Sequence, residues 1–376
     1  MTPCVEKVLV VGGGFSGMTA AIELDRAGIQ VDLVETDPHW RTDGAGISLH
    51  GATLRVFRQI GIYDEFLESG GGANGFDIIH PVSDETLFTL PTPVVGDVAF
   101  GNGGVMRPVL ANILRQRVRE TATNVRLGVT FTKVTPVEGG AQVEFSDGTS
   151  GVYDLIVGAD GVNSALRSAL WPEADAPAYV GQGVWRAVVD WPQELERPGM
   201  WAFEDLKVGI NFVSPTKGYI FLTEPRPTLE HLDPTGFVEY LRALLKRFPS
   251  ALLNRIADSL NEDSQVLYRP LFALLLPKPW SRQRCVLIGD AVHATTPHLA
   301  AGACAAMEDA VVLAEELSAA KDLAAGLEAY ENRRFGRCEM IVNNSRRLCD
   351  IETSGGDRAE HSRIMQTSMG ALAEAI

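Results

Sequence analysis

A glycine-rich turn between an apolar strand and a helix constrains the fold of this chain most strongly. The apolar run Lys7–Val11 predicts a buried strand of a parallel sheet, and apolar residues at helical spacing follow it as far as Gly28. Between them stand Gly12, Gly14 and Gly17, with GxGxxG spacing. In such a turn the first glycine permits the sharp bend, the second lets the backbone approach a pyrophosphate, and the third lets helix and strand pack closely.

An acidic residue follows the second apolar run, where an adenosine ribose can be bound. The run Ile29–Val34 ends at Glu35, which lies 18 residues after Gly17. A carboxylate at this distance can accept hydrogen bonds from ribose hydroxyls. Because strand, turn, helix, strand and acid follow in the required order, we interpret the segment as a dinucleotide-binding βαβ unit. The alternative is a glycine-rich turn in an ordinary βαβ unit.

Length and charge limit the classes of protein and partner. The chain has 376 residues, which favours two domains over one. Apolar residues make up 45% and charged residues 22%, as in an ordinary globular protein. The net charge of −15 would repel nucleic acid and anionic membranes, so neither is an expected partner. It does not exclude an anionic substrate, because a few local cations decide that.

The cysteines and the N-terminal segment indicate a cytoplasmic protein. The 5 cysteines are an odd number without CxxC pairs or metal-ligand spacing, so we expect neither structural disulfides nor a metal site. The first strand begins directly after Glu6, which leaves no room for a signal peptide, and apolar runs such as Leu271–Leu276 are too short to cross a bilayer.

The pattern along the chain predicts a discontinuous first domain. Buried strands like the opening one return at 154–158 and 285–289, the second of them followed by a long helix from Gly302. From about Ala178 to Glu224, apolar and polar residues alternate, which predicts an antiparallel sheet with one packed face and one face open to a ligand. The predicted domains are 1–75 with 101–175 and 280–325, then 76–100 with 176–279, and a helical segment 326–376. The arginines of that segment fit a solvated or inter-helix face.

Two further stretches carry a family resemblance. Residues 154–167, DLIVGADGVNSALR, match the "DG" stretch of flavoprotein hydroxylases, and residues 289–297, GDAVHATTP, match their "GD" stretch. With the glycine turn, the three motifs stand in the order and spacing of that family. The chain therefore resembles, over residues 6 to 340, the single-component FAD-dependent aromatic hydroxylases of the para-hydroxybenzoate hydroxylase fold, and within them the salicylate, 6-hydroxynicotinate and urate hydroxylase branch.

The resemblance implies a fold, a cofactor and a reaction. The fold would be α/β, with a Rossmann-like FAD-binding βαβ domain, an inserted antiparallel-sheet substrate domain and C-terminal helices. The enzyme would bind FAD noncovalently, take electrons from NADH or NADPH, and hydroxylate an aromatic or heteroaromatic small molecule with O2 through a flavin C4a-hydroperoxide, as a monomer or a homodimer. The alternatives are a flavin-dependent reductase or oxidase that inserts no oxygen, and a non-catalytic flavin-binding sensor.

The resemblance also implies cofactor contacts. Asp290 would meet the ribityl chain, or else cap a helix; the backbone at Gly302 would face the flavin; Arg107 would lie near the flavin, or else be a surface cation. Asp160 would contact FAD and the nicotinamide donor, or else pair with Arg167. The predicted cofactor residues are Gly12, Gly14, Ser16, Gly17, Glu35, Arg41, Ala45, Gly46, Arg107, Phe131, Asp160, Asp290, Pro297, Gly302 and Ala303. The chain departs from the family at Ala300-Ala301-Gly302, where Gly-Gln-Gly is usual.

Substrate residues are predicted on the sheet and in the loop after Pro297. Lys207, Asn211 and Tyr219 fall where related hydroxylases carry substrate-binding or base residues; the alternative for each is an ordinary strand position. Lys207 would stabilise a substrate anion and Tyr219 would bond a ring hydroxyl. His298 would orient the substrate or move a proton. Trp185 is predicted as a pocket wall, whereas its neighbour Arg186 is interpreted as structural.

Overall fold

A computed structural model describes residues 3–376 of the chain. In this range the strands are β1 (Lys7–Val11), β2 (Gln30–Glu35), β3 (Gly46–His50), β4 (Gly71–Ala73), β5 (Phe76–Ile79), β6 (Thr86–Leu90), β7 (Asn102–Met106), β8 (Asn124–Leu127), β9 (Phe131–Val137), β10 (Gly140–Phe145), β11 (Ser150–Tyr153), β12 (Leu155–Gly158), β13 (Ala178–Asp190), β14 (Gly199–Phe203), β15 (Leu206–Phe212), β16 (Lys217–Pro225), β17 (Leu267–Ala273), β18 (Ser281–Arg282) and β19 (Cys285–Leu287).

Helices alternate with these strands and close the chain. In the same residues they are α1 (Phe15–Arg26), α2 (Gly51–Ile60), α3 (Tyr63–Ser69), α4 (Arg107–Arg119), α5 (Ala165–Leu170), α6 (Phe237–Leu245), α7 (Ala251–Ser259), α8 (Asp290–His293), α9 (Gly302–Ala319), α10 (Leu323–Ser354) and α11 (Arg358–Ala373), with 3-10 turns at Pro234–Gly236, Glu262–Ser264 and Pro297–Leu299.

A six-stranded sheet in the order β18-β19-β12-β1-β2-β8 forms the first layer. All of its neighbouring strands are parallel except the edge pair β18–β19. The apolar runs that predicted its strands are buried, as expected for a parallel sheet covered by helices on both faces. Because the carboxyl ends of parallel strands meet at one edge, the loops after β1, β12 and β19 lie side by side there.

A seven-stranded sheet in the order β17-β13-β16-β15-β14-β5-β6 forms the second layer. It is antiparallel except between β14 and β5. One face packs under α6 and α7 in a separate apolar core that contains Trp185, Trp201 and Leu222. The alternation that predicted this sheet thus separates a core face from a second face, which turns toward the first layer.

A small sheet, β3-β7-β4, lies between the two layers. Sequence patterns did not predict it, because its strands are rich in glycine rather than in β-branched residues. The glycines are needed for close contact: a Cβ on Gly104 would lie 2.2 Å from the carbonyl oxygen of Phe212 in β15, and one on Gly46 would lie 2.4 Å from Cβ of Tyr219. The small sheet therefore brings the second layer against the cofactor side of the first.

The C-terminal helices pack against the rest of the fold. The 32-residue helix α10 buries Arg334 fully, where its guanidinium pairs with Glu308 and Asp309 of α9 at 3.0 and 2.8 Å. Arg337 pairs with Glu308 as well, at 2.8 Å. In residues 3–376 we find no helix with the length and apolar character needed to cross a bilayer. The predicted α/β fold, with its parallel sheet, antiparallel sheets and C-terminal helices, is confirmed.

Candidate cofactor and substrate site

In the glycine turn after β1, neighbouring backbone leaves no room for a side chain at two positions, whereas the third position faces open space. Gly12 has φ +105°, and a Cβ there would lie 2.5 Å from the carbonyl oxygen of Ala159. A Cβ on Gly17 would lie 1.9 Å from the carbonyl oxygen of Gly12. No protein atom lies within 4 Å of a Cβ built on Gly14. The protein itself thus requires Gly12 and Gly17, whereas Gly14 leaves space for a ligand.

Two helices present uncapped N-termini beside this turn. Helix α1 begins after Gly14 and helix α9 after Ala301, and neither start is capped by a side chain. The first-turn N–H groups of such helices carry partial positive charge and can bind anionic or electron-rich groups. Ser16 lies in the first turn of α1, Gly302 and Ala303 in that of α9. The first helix suits a pyrophosphate and the second suits the polar edge of a flavin ring.

Glu35 is tied to the glycine turn. Its Oε2 accepts a hydrogen bond from the backbone N–H of Gly13 at 2.8 Å, and its Oε1 accepts one from the N–H of Asp37 at 2.8 Å. A carboxylate has about four acceptor positions, so it can still accept from ribose hydroxyls. Trp40 donates its indole N–H to the carbonyl of Gly13 at 2.8 Å, which fixes the turn from the other side. Arg41 is exposed and pairs with Asp37 at 3.0 Å.

The "DG" loop joins the glycine turn to the "GD" loop. Asp160 accepts a hydrogen bond from the N–H of Leu166 through Oδ2 at 3.0 Å, while its buried Oδ1 has no protein partner. Arg167 donates to the carbonyl oxygens of Val162 and Ala291, at 2.7 and 2.8 Å, and so connects the two loops. Gly289, with φ +62°, lies against Ser16. An unpartnered buried oxygen beside an open turn fits a ligand that donates hydrogen bonds.

Asp290 lies in a crevice at the end of β19. Solvent reaches its side chain, yet the surrounding protein desolvates the carboxylate and raises its pKa, although the charges of His293 and Arg107 act in the opposite direction. It begins the four-residue helix α8. The open space at Gly14 fits the pyrophosphate of FAD, and the Asp290 carboxylate fits its ribityl chain. The free oxygen of Asp160 can accept a further hydrogen bond from the cofactor. Phe131, at the start of β9, packs against the core of the first layer.

Replacing Asp290 with alanine should weaken FAD binding about ten- to a hundredfold. Losing a hydrogen-bond partner in a desolvated crevice costs about 1–3 kcal/mol, which corresponds to roughly one to two decades in Kd. Fluorescence titration of the apoprotein with FAD measures the change. Asp190→Ala is the control, because that exposed aspartate pairs only with Lys217 at the end of β13. Equal affinities of the Asp290→Ala and control proteins would mean that Asp290 does not contact the cofactor, and its side chain does not cap α8 either.

His293 and Asp309 support the "GD" loop from behind. Asp309 accepts hydrogen bonds from the ring of His293, from the N–H of Gly289 at 2.9 Å and from Arg334 at 2.8 Å. Burial opposes ionisation of Asp309, but the charges of His293 and Arg334 hold its pKa at about 2. Cys338 completes a trio of metal-ligating side chains. Because Arg334 already neutralises Asp309 there, the trio is better explained as a buried ion-pair network than as a cation site.

The register of the second layer places the predicted substrate residues on one face. Asn211 pairs with Tyr219 across β15 and β16, and Lys207 lies four residues before Asn211, hence on the same face. Arg186, paired with Phe221 across β13 and β16, shares this face. Side chains of the face meet the small sheet: Tyr219 lies directly against Gly46 of β3 and shares a buried cluster with Ala45, the residue before that strand. We call this surface the inner face of the second layer.

Trp185 lies on the opposite face. Its indole N–H donates to Glu224 at 2.7 Å, and its ring stacks on Tyr240 at 5.3 Å between centroids and contacts Phe237. It is fully buried in the core under α6. Because neighbouring residues of a strand point to opposite faces, Arg186 lies on the inner face while Trp185 lies in the core. Trp185 therefore contributes to the core under α6 and not, as predicted, to the wall of a pocket on the inner face.

Arg107 lies between the inner-face residues Arg186 and Tyr219 and the cofactor side of the first layer. Tyr219 accepts a hydrogen bond from Nε of Arg186 at 2.9 Å. Arg107 follows β7, donates its backbone N–H to Ala45 at 3.0 Å, and holds its guanidinium over the ring of Phe15 at 5.1 Å. Burial lowers the pKa of Arg107, and the charge of Arg186 lowers it further. Sequence analysis interpreted Arg186 as structural, because its contact with Tyr219 arises only when β13 and β16 pair.

Asn211 ties two sheets together. Its side-chain amide donates to Ser48 in β3 at 3.2 Å and to the carbonyl of Gly103 in β7 at 3.1 Å. Its Oδ1 is buried without a protein partner. The side chain therefore positions the inner face against the small sheet, and its substrate-binding role stays a prediction.

Lys207 and His298 meet at a residue that sequence reasoning did not single out. Glu352, near the end of α10, pairs with the ammonium of Lys207, and its Oε2 lies 3.2 Å from Nε2 of His298. Nδ1 of His298 lies 2.9 Å from the hydroxyl of Thr296. Both ring nitrogens thus face protein groups, and burial lowers the pKa of the imidazole. No sequence motif marked Glu352, since a glutamate in a polar helix resembles many others.

The loop between Pro297 and α9 explains the departure from the family sequence. Ala300 has φ +49°, in the left-handed region that favours glycine, so it occupies the conformation that the usual glycine would adopt. Ala301 is buried in the core and precedes Gly302. The backbone path to α9 is therefore kept although two side chains differ.

Comparison with known proteins agrees with this geometry. The profile of the family described as FAD binding domain matches residues 6–345. The chain is 31% identical to the FAD-dependent urate hydroxylase of Klebsiella oxytoca over 94% of its length and 92% of that protein, and 28% identical to 6-hydroxynicotinate 3-monooxygenase of Bordetella bronchiseptica over 89% of each. The crystal structure of Klebsiella pneumoniae HpxO with FAD and uric acid superposes with a TM-score of 0.81 at 26% identity, covering 98% of this chain and 93% of that one.

Proposed function

This chain belongs to the FAD-binding monooxygenase family, and from that premise we propose that it hydroxylates a small aromatic or heteroaromatic ring that carries an ionisable hydroxyl or carboxylate. One oxygen atom of O2 would enter the ring and the other would leave as water, while NADH or NADPH supplies two electrons. Bound FAD supplies the electron transfer and the activation of O2. The segments around the six-stranded sheet would hold the cofactor, and the inner face of the second layer would hold the ring.

The observation that carries the proposal is the positive charge between the two layers. Arg107 donates its backbone N–H to Ala45, which packs with Tyr219. Tyr219 in turn accepts a hydrogen bond from Arg186 at 2.9 Å. The charge of Arg186 lowers the pKa of Arg107, in a protein of net charge −15. Within residues 3–376, neither guanidinium forms an ion pair within 4.0 Å. The charge of Asp290 still acts on Arg107 from a greater distance and offsets part of its positive charge. An anion in this space would be stabilised, since an opposite charge within about 4–6 Å favours the ionised form of an acid.

Tyr219 can orient the ring. Its oxygen accepts a hydrogen bond from Arg186, so its own O–H remains free to donate to a ligand. Lys207 and His298 lie on either side of Glu352. The predicted role of Lys207 is to stabilise the ring anion, and that of His298 is to move its proton. A deprotonated hydroxyl makes the ring richer in electrons, which favours its attack on an electrophilic oxygen. The buried small sheet beneath Tyr219 excludes water from the same space.

A panel of phenols, hydroxypyridines and purines tests the substrate class. With FAD-saturated protein, at least one compound should stimulate NADH or NADPH oxidation, and its product should gain one oxygen atom from ¹⁸O2 by mass spectrometry. Stimulated oxidation with hydrogen peroxide as the only oxygen product, across the panel, would instead indicate a reductase or oxidase. A flavin protein whose oxidation of NAD(P)H no compound changes would contradict the proposal.

Changing Tyr219 or Lys207 of the inner face, or His298 of the loop after Pro297, should uncouple the reaction. Tyr219→Phe removes one hydrogen-bond donor, which is worth about 0.5–1.5 kcal/mol, and should raise KM roughly two- to tenfold. In Lys207→Met and His298→Ala, loss of a positioned base or charge should lower the hydroxylation rate about 10²–10⁴-fold. Flavin reduction should suffer less than hydroxylation, so peroxide should leak. Normal coupling, rate and KM in all three variants would place the pocket elsewhere.

A further inference from the structure

Glu352 gathers basic side chains from three separate elements. Its carboxylate pairs with Lys207 of β15, lies 3.2 Å from Nε2 of His298 after Pro297, and lies 3.1 Å from Nε2 of His361 of α11. Gln182 of β13 approaches it at 3.5 Å. The side chain of Glu352 is only 14% exposed and that of His298 only 1%. The carboxylate of Glu352 therefore contacts three basic side chains at once, whereas a surface ion pair joins only two residues.

We propose that Glu352 is a positioning residue of the site: its carboxylate fixes the direction of the Lys207 ammonium and the protonated nitrogen of His298. The C-terminal helix pair α10–α11 would then form part of the substrate pocket rather than an outer support. The catalytic meaning of this proposal rests on the proposed function, because Lys207 and His298 were assigned there to the ring anion and its proton.

The two nitrogens of His298 have unlike neighbours. The ionised carboxylate of Glu352 can accept hydrogen bonds but cannot donate them, so its Oε2 favours a hydrogen on Nε2 of His298. The two atoms lie at ion-pairing distance, without the alignment of a good hydrogen bond. Thr296, 2.9 Å from Nδ1, has a hydroxyl that can donate. The neutral ring is therefore expected as the Nε2–H tautomer, with Nδ1 accepting from Thr296. Which nitrogen is protonated follows from Glu352.

The charges around Glu352 decide its own state. Burial would raise its pKa, but Lys207 and His298 hold that pKa well below the usual value, so the group is ionised at working pH. Burial lowers the pKa of His298, Glu352 raises it, and Lys207 and His361 lower it. Gln182 and Cys349, the remaining neighbours from β13 and α10, are neutral. Replacing the carboxylate by an amide therefore removes the one charge that favours protonated His298.

Nitrogen NMR of FAD-saturated protein with ¹⁵N-labelled histidine tests the proposal without any substrate. The signal of His298, assigned by its loss in His298→Gln, should report the Nε2–H tautomer in the wild type. In Glu352→Gln the tautomers should mix and the titration midpoint should fall. Lys207→Met, which leaves Glu352 in place, should keep the tautomer and raise the midpoint. An Nδ1–H tautomer in the wild type would overturn the proposal, and so would an unchanged tautomer and midpoint in Glu352→Gln.

Turnover supplies the second measurement and a matched control. Glu360→Gln removes the same charge from the same helix pair, because Glu360 of α11 pairs with Arg347 of α10 at 2.7 Å and contacts neither Lys207 nor His298. With a compound that the wild type hydroxylates, Glu352→Gln should lower kcat at least tenfold and shift the pH profile of turnover. Glu352→Asp should recover part of the lost kcat. Glu360→Gln should change neither kcat nor the pH profile. If Glu352→Gln and Glu360→Gln behave alike, Glu352 is merely structural.

Absence of any substrate in the panel would contradict the proposed function, and the NMR result would still decide the role of Glu352.

Discussion

Gly17→Ala is expected to abolish retention of FAD and to destabilise the folded protein by about 3 kcal/mol, the top of the usual range for overpacking. The reason is geometric: the added Cβ would lie 1.9 Å from the carbonyl oxygen of Gly12, and neither backbone can move without separating α1 from β1. Chemical denaturation with urea and the absorbance of bound flavin after gel filtration measure the two effects.

Gly14→Ala separates the folding effect from the ligand effect. Its Cβ meets no protein atom within 4 Å, so the fold should be kept, while a methyl group in the space for the pyrophosphate should weaken FAD binding about ten- to a hundredfold. Gly370→Ala, in α11, is a second control with an equally open Cβ position and should change neither quantity. Wild-type FAD affinity in Gly14→Ala would mean that the cofactor does not approach this turn.

Arg334→Met should destabilise the protein by about 3–5 kcal/mol, because it removes a guanidinium that two buried carboxylates share and leaves Asp309 without an arginine partner. Arg334 is 0% exposed and bridges Glu308 and Asp309, which are also 0% exposed at their side chains. Arg337 and Arg55 still contact Glu308, but Asp309 keeps only His293 as a cationic partner. The urea midpoint of the FAD-bound protein, measured near pH 7, gives the loss.

The preceding residue provides the control. Arg333→Met also removes an arginine with two carboxylate partners, Glu315 and Glu316, yet its side chain is 34% exposed. Exposed ion pairs contribute about 0–1 kcal/mol, so this variant should stay close to the wild type. Equal destabilisation by the two variants would mean that the buried network contributes no more than surface charge.

The local motifs of the first layer could be predicted because each depends on residues close together in sequence. The turn at Gly12 and the strand that ends before Asp290 each depend on one short stretch of sequence. The family match is confirmed along residues 6–345. The glycine-rich strands β3, β4 and β7 could not be predicted. Their pairing depends on close contact with β15, which no local pattern encodes.

The substrate side was predicted less completely, for a related reason. Alternation along β13 indicates two faces but does not say which one turns inward, and Trp185 was assigned to the wrong one. Lys207 and His298 were singled out one by one, whereas the carboxylate that joins them, Glu352, lies more than 50 residues from either in sequence. Contacts of this range exist only after the C-terminal helices have packed.

The two-faced construction of the second layer affects how relatives of this protein can diverge. Residues that hold the sheet to α6 and α7, such as Trp185 and Leu222, alternate along the strands with residues of the inner face, such as Arg186 and Tyr219. A substitution on the inner face leaves the apolar core behind it untouched. New ligand preferences can therefore arise by single steps at the inner-face positions that do not pack against the small sheet, with little loss of stability at each step. A library confined to those positions is the economical route to altered substrate range.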